Sequence, residues 1–231
     1  MLALHLPAFR LERCGYDPRE SVVLVEFERS ADRVQACTPP VARAGVRPGM
    51  ALAEARALCP ELRVERRAAE GERSDLESLR DACLRFSPAV SAILPDGLFL
   101  DVAPAQLPAV RAWIASLGHA VRLVWGPEPW AALVLARHAE KDLVLADAAA
   151  VAKALAPLSV AALGLDAEVL ESLAGAGVRT VGQFATLPGA ALAGRYPAEA
   201  RRLWQIARGQ ANLASAAAGL GERVAAAMVN S

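Results

Sequence analysis

The chain has almost no lysine, few aromatic residues and no net charge. Lys141 and Lys153 are its only lysines, so arginine supplies nearly all of the 25 positive charges, and 25 acidic residues balance them to zero. A neutral chain has no overall electrostatic footprint for nucleic acid or an anionic membrane, so any such binding has to come from a local patch. Arginine suits such a patch, because its planar fork donates to phosphate or carboxylate in pairs. Aromatics make up 5% of a chain that is 55% hydrophobic, so Ala, Leu and Val build the core.

Other absences narrow the chemistry. The four cysteines, Cys14, Cys37, Cys59 and Cys83, are widely spaced and never form C-x-x-C. They read as thiols of a reducing cytoplasm rather than disulfides or a zinc site. His5, Pro7, Arg10 and Glu12 interrupt the apolar N-terminus, and no stretch of about 18 apolar residues is free of charge. Neither an export signal nor a membrane span is expected, and the expected location is the cytoplasm. There is no G-x-S-x-G and no G-x-x-x-x-G-K-[ST] phosphate loop, and His5, His119 and His138 lack metal spacing. Glu26 and Glu28, either side of Phe27, read as a solvated strand edge. No cofactor is expected.

At 231 residues there is room for one large domain or two small ones. "LALHL" reads as a strand, "AFRLERC" as a short helix, and "SVVLVEF" and "RVQACT" as a hairpin. "GMALAEARALCP" predicts a helix with Met50, Ala53, Ala57 and Leu58 on its buried face and Pro60 as its stop. After the strand "LRVER", "SDLESLRDACLRF" predicts an amphipathic helix capped by Ser74, burying Leu76, Leu79, Cys83 and Phe86. "SPAVSAILPDGLFLDV" predicts two strands around Pro95-Asp96-Gly97, with Gly97 supplying a positive φ for the turn. Strands and helices go on alternating to about residue 156, an α/β or α+β sheet domain. Beyond Pro157 strand signals stop, and short helices punctuated by glycine follow.

The helical part carries the first functional signal. "LGLDAEVLESLAGAGVRTVGQFATL" has the spacing of a helix-hairpin-helix, whose glycine turn offers backbone N–H groups to a phosphate. Gly164 is followed by Leu165 and then Asp166, which puts an acid near the phosphate position, and Asp166 is also a normal N-cap. In "PAEARRLWQIARG", Arg201 and Arg208 are seven apart and share a helix face, either merely solvated or tracking phosphate.

Several pieces then fall in one order. "ARAGVRPGMALAEARALCPELRV" resembles the fingers of Y-family (lesion-bypass) DNA polymerases, and "LRFSPAVSAILPDGLFLDV" that family's Ser-Pro and acidic hairpin. "GVRTVGQFATLP" and "RRLWQIARG" resemble its thumb. The resemblance implies a palm over residues 1–156 with inserted fingers at about 30–72. It implies a helix-hairpin-helix thumb at 157–209 and an Ala-rich tail at 210–231. It further implies DNA contacts from Gly164, Gly177, Arg179, Thr180, Arg201, Arg202 and Arg208.

A working member of that family holds two Mg²⁺ on three palm carboxylates. By the resemblance, the first falls at His5 and the hairpin pair at Asp96 and Gly97, so one acid of three remains. The triphosphate-gripping tyrosine and arginine fall at Pro39 and Ala42, and the palm lysine at Pro129. One carboxylate cannot neutralise and orient two divalent ions, and imidazole is a poor hard-cation ligand. His5, Asp96 and Gly97 are therefore expected to be vestigial positions, and the chain is similar to the catalytically silent ImuB-type branch.

That branch implies an adaptor of SOS-induced translesion synthesis, with a RecA-like ImuA-type partner and a separate error-prone replicative-type polymerase. Clamp recruitment is not carried over, because "QANLAS" lacks the aromatic anchor of a clamp-binding peptide. Residues 211–231 are too few for the family's little-finger domain, which is expected to be absent. Two other readings stay open: a docking module that no longer binds DNA, and an active polymerase with Asp101 as substitute ligand.

Overall fold

The computed structural model describes residues 1–210 except 13, 18 and 29, with the backbone alone at 193. The expected Ala-rich tail, with most of "QANLAS", lies outside the described residues.

In chain order the elements are β1 (Leu2–His5), α1 (Phe9–Glu12), β2 (Val22–Glu28), β3 (Ala31–Cys37), α2 (Pro39–Arg43), α3 (Leu52–Leu58), β4 (Arg63–Arg66) and α4 (Ala69–Cys83). Then come β5 (Val90–Ile93), β6 (Gly97–Leu100), α5 (Leu107–Ser116), β7 (Arg122–Trp125), α6 (Pro129–His138) and β8 (Leu143–Val144). Helices α7 (Ala148–Leu155), α8 (Ala167–Gly175), α9 (Val181–Ala185), α10 (Gly189–Ala193) and α11 (Ala198–Ala207) complete the described chain.

A five-stranded sheet runs β5-β6-β1-β7-β8, with β1 in the middle and antiparallel to β6 and β7. Its strands read as continuous apolar runs because both faces are covered. By the two-residue alternation, Leu2, Leu4, Leu98, Leu100 and Leu123 pack on α4 and α5, while Ala3, Phe99 and Val124 turn to α6. Helix α6 is buried from Ala131 to Ala136 because the helical tail lies on its other side. One core runs from Ala3 and Phe99 through α6 to Leu173, Phe184 and Ile206.

A second, three-stranded sheet runs β3-β2-β4, under α2 and α3, with its own small core of Val23, Val25, Val34, Val41, Val46 and Ala55. This sheet takes in β2, which begins at Val22. Beyond Val25 the middle strand β2 pairs with β3 alone, so Glu26 and Glu28 stand on a solvated strand end beside the exposed Phe27, as expected, with Arg67 donating to Glu26 at 2.7 Å and Gln35 to Glu28 at 2.5 Å.

Three local expectations are corrected. In α3 the buried residue is Ala55, with Met50 and Leu52 against the same core, whereas Ala53, Ala57 and Leu58 face solvent. Helix α4 begins at Ala69, so Ser74 is no cap; its carbonyl accepts from Ser78 one turn on, while Leu76, Leu79 and Cys83 are buried as expected. Gly97 is not a positive-φ turn residue but the first residue of β6. Of the four cysteines only Cys83 is fully buried, and burial pushes its thiol up to about 11.

Candidate functional site

His5 ends β1 and sits directly across from Gly97 at the start of β6. The Leu6 N–H donates to the Asp96 carbonyl at 2.8 Å, which pins the hairpin tip to the end of β1. By strand alternation His5 and Gly97 both face α6, as Ala3 and Phe99 do. From α6, Arg137 donates to Asp96 Oδ1 at 2.9 Å, and His5 Nε2 stands 3.6 Å from Asp96 Oδ2. Burial works to raise the Asp96 carboxyl, but the imidazole and the guanidinium outweigh it and hold the group below its ordinary 3.8. His5 Nδ1 is buried and has no hydrogen-bond partner.

Gly97 is required by a close approach. A Cβ built on it would meet Leu133 Cδ1 at 3.0 Å and the carbonyls of Leu4 and Ile93 at 3.4 Å. Leu133 is itself fully buried and has little room to move aside.

This corner does not fit a pair of divalent cations. It offers one carboxylate, that carboxylate already carries a guanidinium, and the neighbouring strand position has no side chain and little space for one. Among the described residues no group of three or more His, Cys, Asp or Glu could hold a metal ion. Asp101 is exposed beyond the far end of β6, five residues or about 16 Å from Asp96 at the usual strand rise. Pro39 opens α2, the Ala42 carbonyl accepts from Arg47 at 2.6 Å, and Pro129 opens α6, so none of the three supplies a phosphate donor.

Sequence reasoning missed Arg137 and a second ionic cluster. Leu133 and Arg137 are four apart in a helix that is apolar up to Ala136, so an arginine stacked on a buried leucine was the available signal. The second cluster joins the two sheets. Arg67, just after β4, donates to Glu72 of α4 at 3.0 Å, and Arg10 of α1 lies 3.4 Å from the same carboxylate oxygen. Glu72 is 3% exposed, which makes it a buried junction between two arginines.

In the helical tail, Gly164 takes φ +75° where a one-turn 3-10 helix ends, and Gly177 takes +77° between α8 and α9. Asp166 stands at the N-cap position of α8 but makes no side-chain cap bond. The Arg179 and Thr180 N–H groups both donate to Gln183 Oε1, at 2.8 and 3.1 Å. The Thr180 hydroxyl accepts from the Gln183 N–H at 3.2 Å, which completes a capping box. An isolated bridge pairs Ser159 with Thr180, which ties the start of that 3-10 turn to the start of α9.

The arginines divide. Arg201 is exposed on α11, beside a cleft of about 360 Å³ lined by Gly189, Leu192, Ala198, Arg202 and Trp204. Arg202 lies 3.7 Å from Glu199. Arg208 does not share a free face with Arg201: its guanidinium turns back to the Ala185 carbonyl at 3.1 Å and lies 4.7 Å from the Trp204 ring. Among the described residues, the side chains of Arg179 and Arg201 make no ion pair.

This arrangement of sheets and helices is the α/β palm-and-fingers fold of Y-family DNA polymerases. The Dbh DNA polymerase in an insertion ternary complex superposes with a TM-score of 0.71 at 14% identity, over 90% of this chain and 67% of that one. DinB from Sulfolobus solfataricus gives 0.68 at 14% identity, over 90% and 66%. The sequence is more specific: residues 9–166 match the impB/mucB/samB family, and the chain belongs to it. It is 37% identical over 161 residues to Protein ImuB from two strains of Caulobacter vibrioides, across 66% of this chain and 35% of each relative. The chain thus spans about a third of the length of those relatives. No helix among the described residues is long and apolar enough to cross a membrane.

Proposed function

We propose that this protein is a non-catalytic member of its family, an adaptor in bacterial damage-induced translesion synthesis. One observation carries the reading: where the fold would need a cluster of carboxylates, Asp96 is neutralised by Arg137 and Gly97 is packed under Leu133. A corner with one carboxylate, already paired with Arg137, and no room for a side chain at Gly97 gives a pair of Mg²⁺ ions no site, so no primer-hydroxyl activation is assigned to it. In this reading residues 1–156 are palm with inserted fingers, and 157–209 are a helix-hairpin-helix thumb. The chain works in the cytoplasm, and the similarity to ImuB supports a RecA-like ImuA-type protein and an error-prone replicative-type polymerase as partners.

DNA contact is proposed through Arg201 and Arg179, which are exposed and, among the described residues, make no ion pair, with Arg202 next to Arg201 on α11. A second reading, a docking module that leaves DNA alone, is favoured by a specific feature. The N–H groups of Arg179 and Thr180 are spent on Gln183, and Arg208 is spent on Ala185. Primer extension with Mg²⁺ and with Mn²⁺ tests the first statement, and any templated product overturns it. Anisotropy of a labelled primer–template across salt separates the two binding modes: binding that weakens steeply with salt supports DNA contact, and none at low salt leaves the docking module.

A further inference from the structure

The way α6 meets the corner allows one further step, which rests on the non-catalytic reading. Leu133 and Arg137 are one helical turn apart and stack on the same face of α6. Leu133 fills the volume over Gly97, and Arg137 supplies the charge over Asp96. One helix face thus provides both things that a missing side chain and a missing cation would leave wanting. We propose that Arg137 is a built-in counter-ion, and that its bond to Asp96 makes the corner complete without divalent metal and closed to it.

The physical case has three parts. Asp96 is 22% exposed and Arg137 29%, so their attraction is only partly screened by water. Arg137 lies in the last turn of α6, where the helix dipole favours a cation and holds it in place. A divalent ion approaching Asp96 would have to displace a donor at 2.9 Å and then sit beside the displaced positive charge.

The experiment is thermal melting of the full chain in Mg²⁺, Mn²⁺ or chelator, with the electron paramagnetic resonance of Mn²⁺ as a direct readout. The wild type should melt at one temperature in all three, and the Mn²⁺ spectrum should stay that of the free ion. Arg137→Met keeps the aliphatic stem and removes the charge; this chain should melt lower and be raised by Mn²⁺, since a ligand that binds only the folded state stabilises it. Adding Asp96→Asn should abolish the Mn²⁺ response, and the double variant should lose less stability than the two singles summed.

An Arg137→Met chain indifferent to Mn²⁺ would leave an ordinary ion pair, and strictly additive losses would leave no coupling between the two charges; either overturns the proposal. If Arg137→Met does not fold, a folded double variant upholds the charge role. A double that fails where Asp96→Asn folds assigns Arg137 to packing alone and overturns it. A wild type that binds Mn²⁺ through Asp96 yet extends no primer sinks the counter-ion but not the non-catalytic reading, whereas primer extension sinks that reading.

Discussion

Leu133 Cδ1 lies 3.0 Å from the point a Cβ on Gly97 would occupy, so a strand residue and a helix residue 36 positions apart share one volume. Overfilling a packed core forces side chains off their rotamers. Gly97→Ala is expected to cost about 1–2 kcal/mol, within the range for overpacking, and Gly97→Glu more, because it also buries a second carboxylate beside Asp96. In a Leu133→Ala background the Gly97→Ala change should cost almost nothing. Equal costs in the two backgrounds, read from denaturant midpoints, would refute the shared volume.

Asp96 sets an acid limit. Its folded value is depressed, so the stability it contributes is fully present above 3.8 and lost as the pH falls through that lower value. Asp96→Asn should therefore start less stable at neutral pH and lose less on acidification than the wild type. Melting curves taken down through the carboxylate range test this; parallel losses would assign no role to the Asp96 ionisation.

Glu128 carries the opposite sign. It caps α6, accepting from the Ala131 N–H at 2.5 Å, but burial raises its carboxyl above 4.5 despite that bond and the nearby Arg202. Its contribution is full below 4.5 and declines as the pH rises and the buried group must ionise. Glu128→Gln keeps the capping oxygen and sheds the charge, so it should melt at or above the wild type at neutral pH. Glu128→Ala should lose about 1 kcal/mol with the cap. A Gln variant that falls with the Ala variant would show that the charge itself is needed.

Glu72 joins the two sheets through Arg10 and Arg67. Removing one partner of a buried ionic group strands the others, at a cost of about 3 kcal/mol. Glu72→Ala should show that loss together with faster hydrogen exchange in β2, β3 and β4 than in β1 and β6. Uniform acceleration in both sheets would argue against a junction.

On α11, Arg201→Ala is expected to lower the slope of DNA affinity against salt by about one, the signature of a single lost phosphate contact. Arg208→Ala should instead lower the melting temperature, because its guanidinium is bound to the Ala185 carbonyl and the Trp204 ring. An unchanged slope in Arg201→Ala would move the contact elsewhere.

Much of this protein was legible in one dimension, because strand and helix periods of 2 and 3.6 residues act over a few neighbours. Leu2–His5, Arg63–Arg66 and Ala148–Leu155 could be read from pattern and caps alone, and the hairpin around Asp96 from its turn residues. Tertiary structure decided the rest. Which face of α3 is buried, and which sheet β2 joins, depend on partners far along the chain. Arg137 is 41 positions from Asp96, and its role exists only because α6 packs across the ends of β1 and β6. A pattern of residues can announce that a charge is missing from a site; only packing brings in the charge that replaces it.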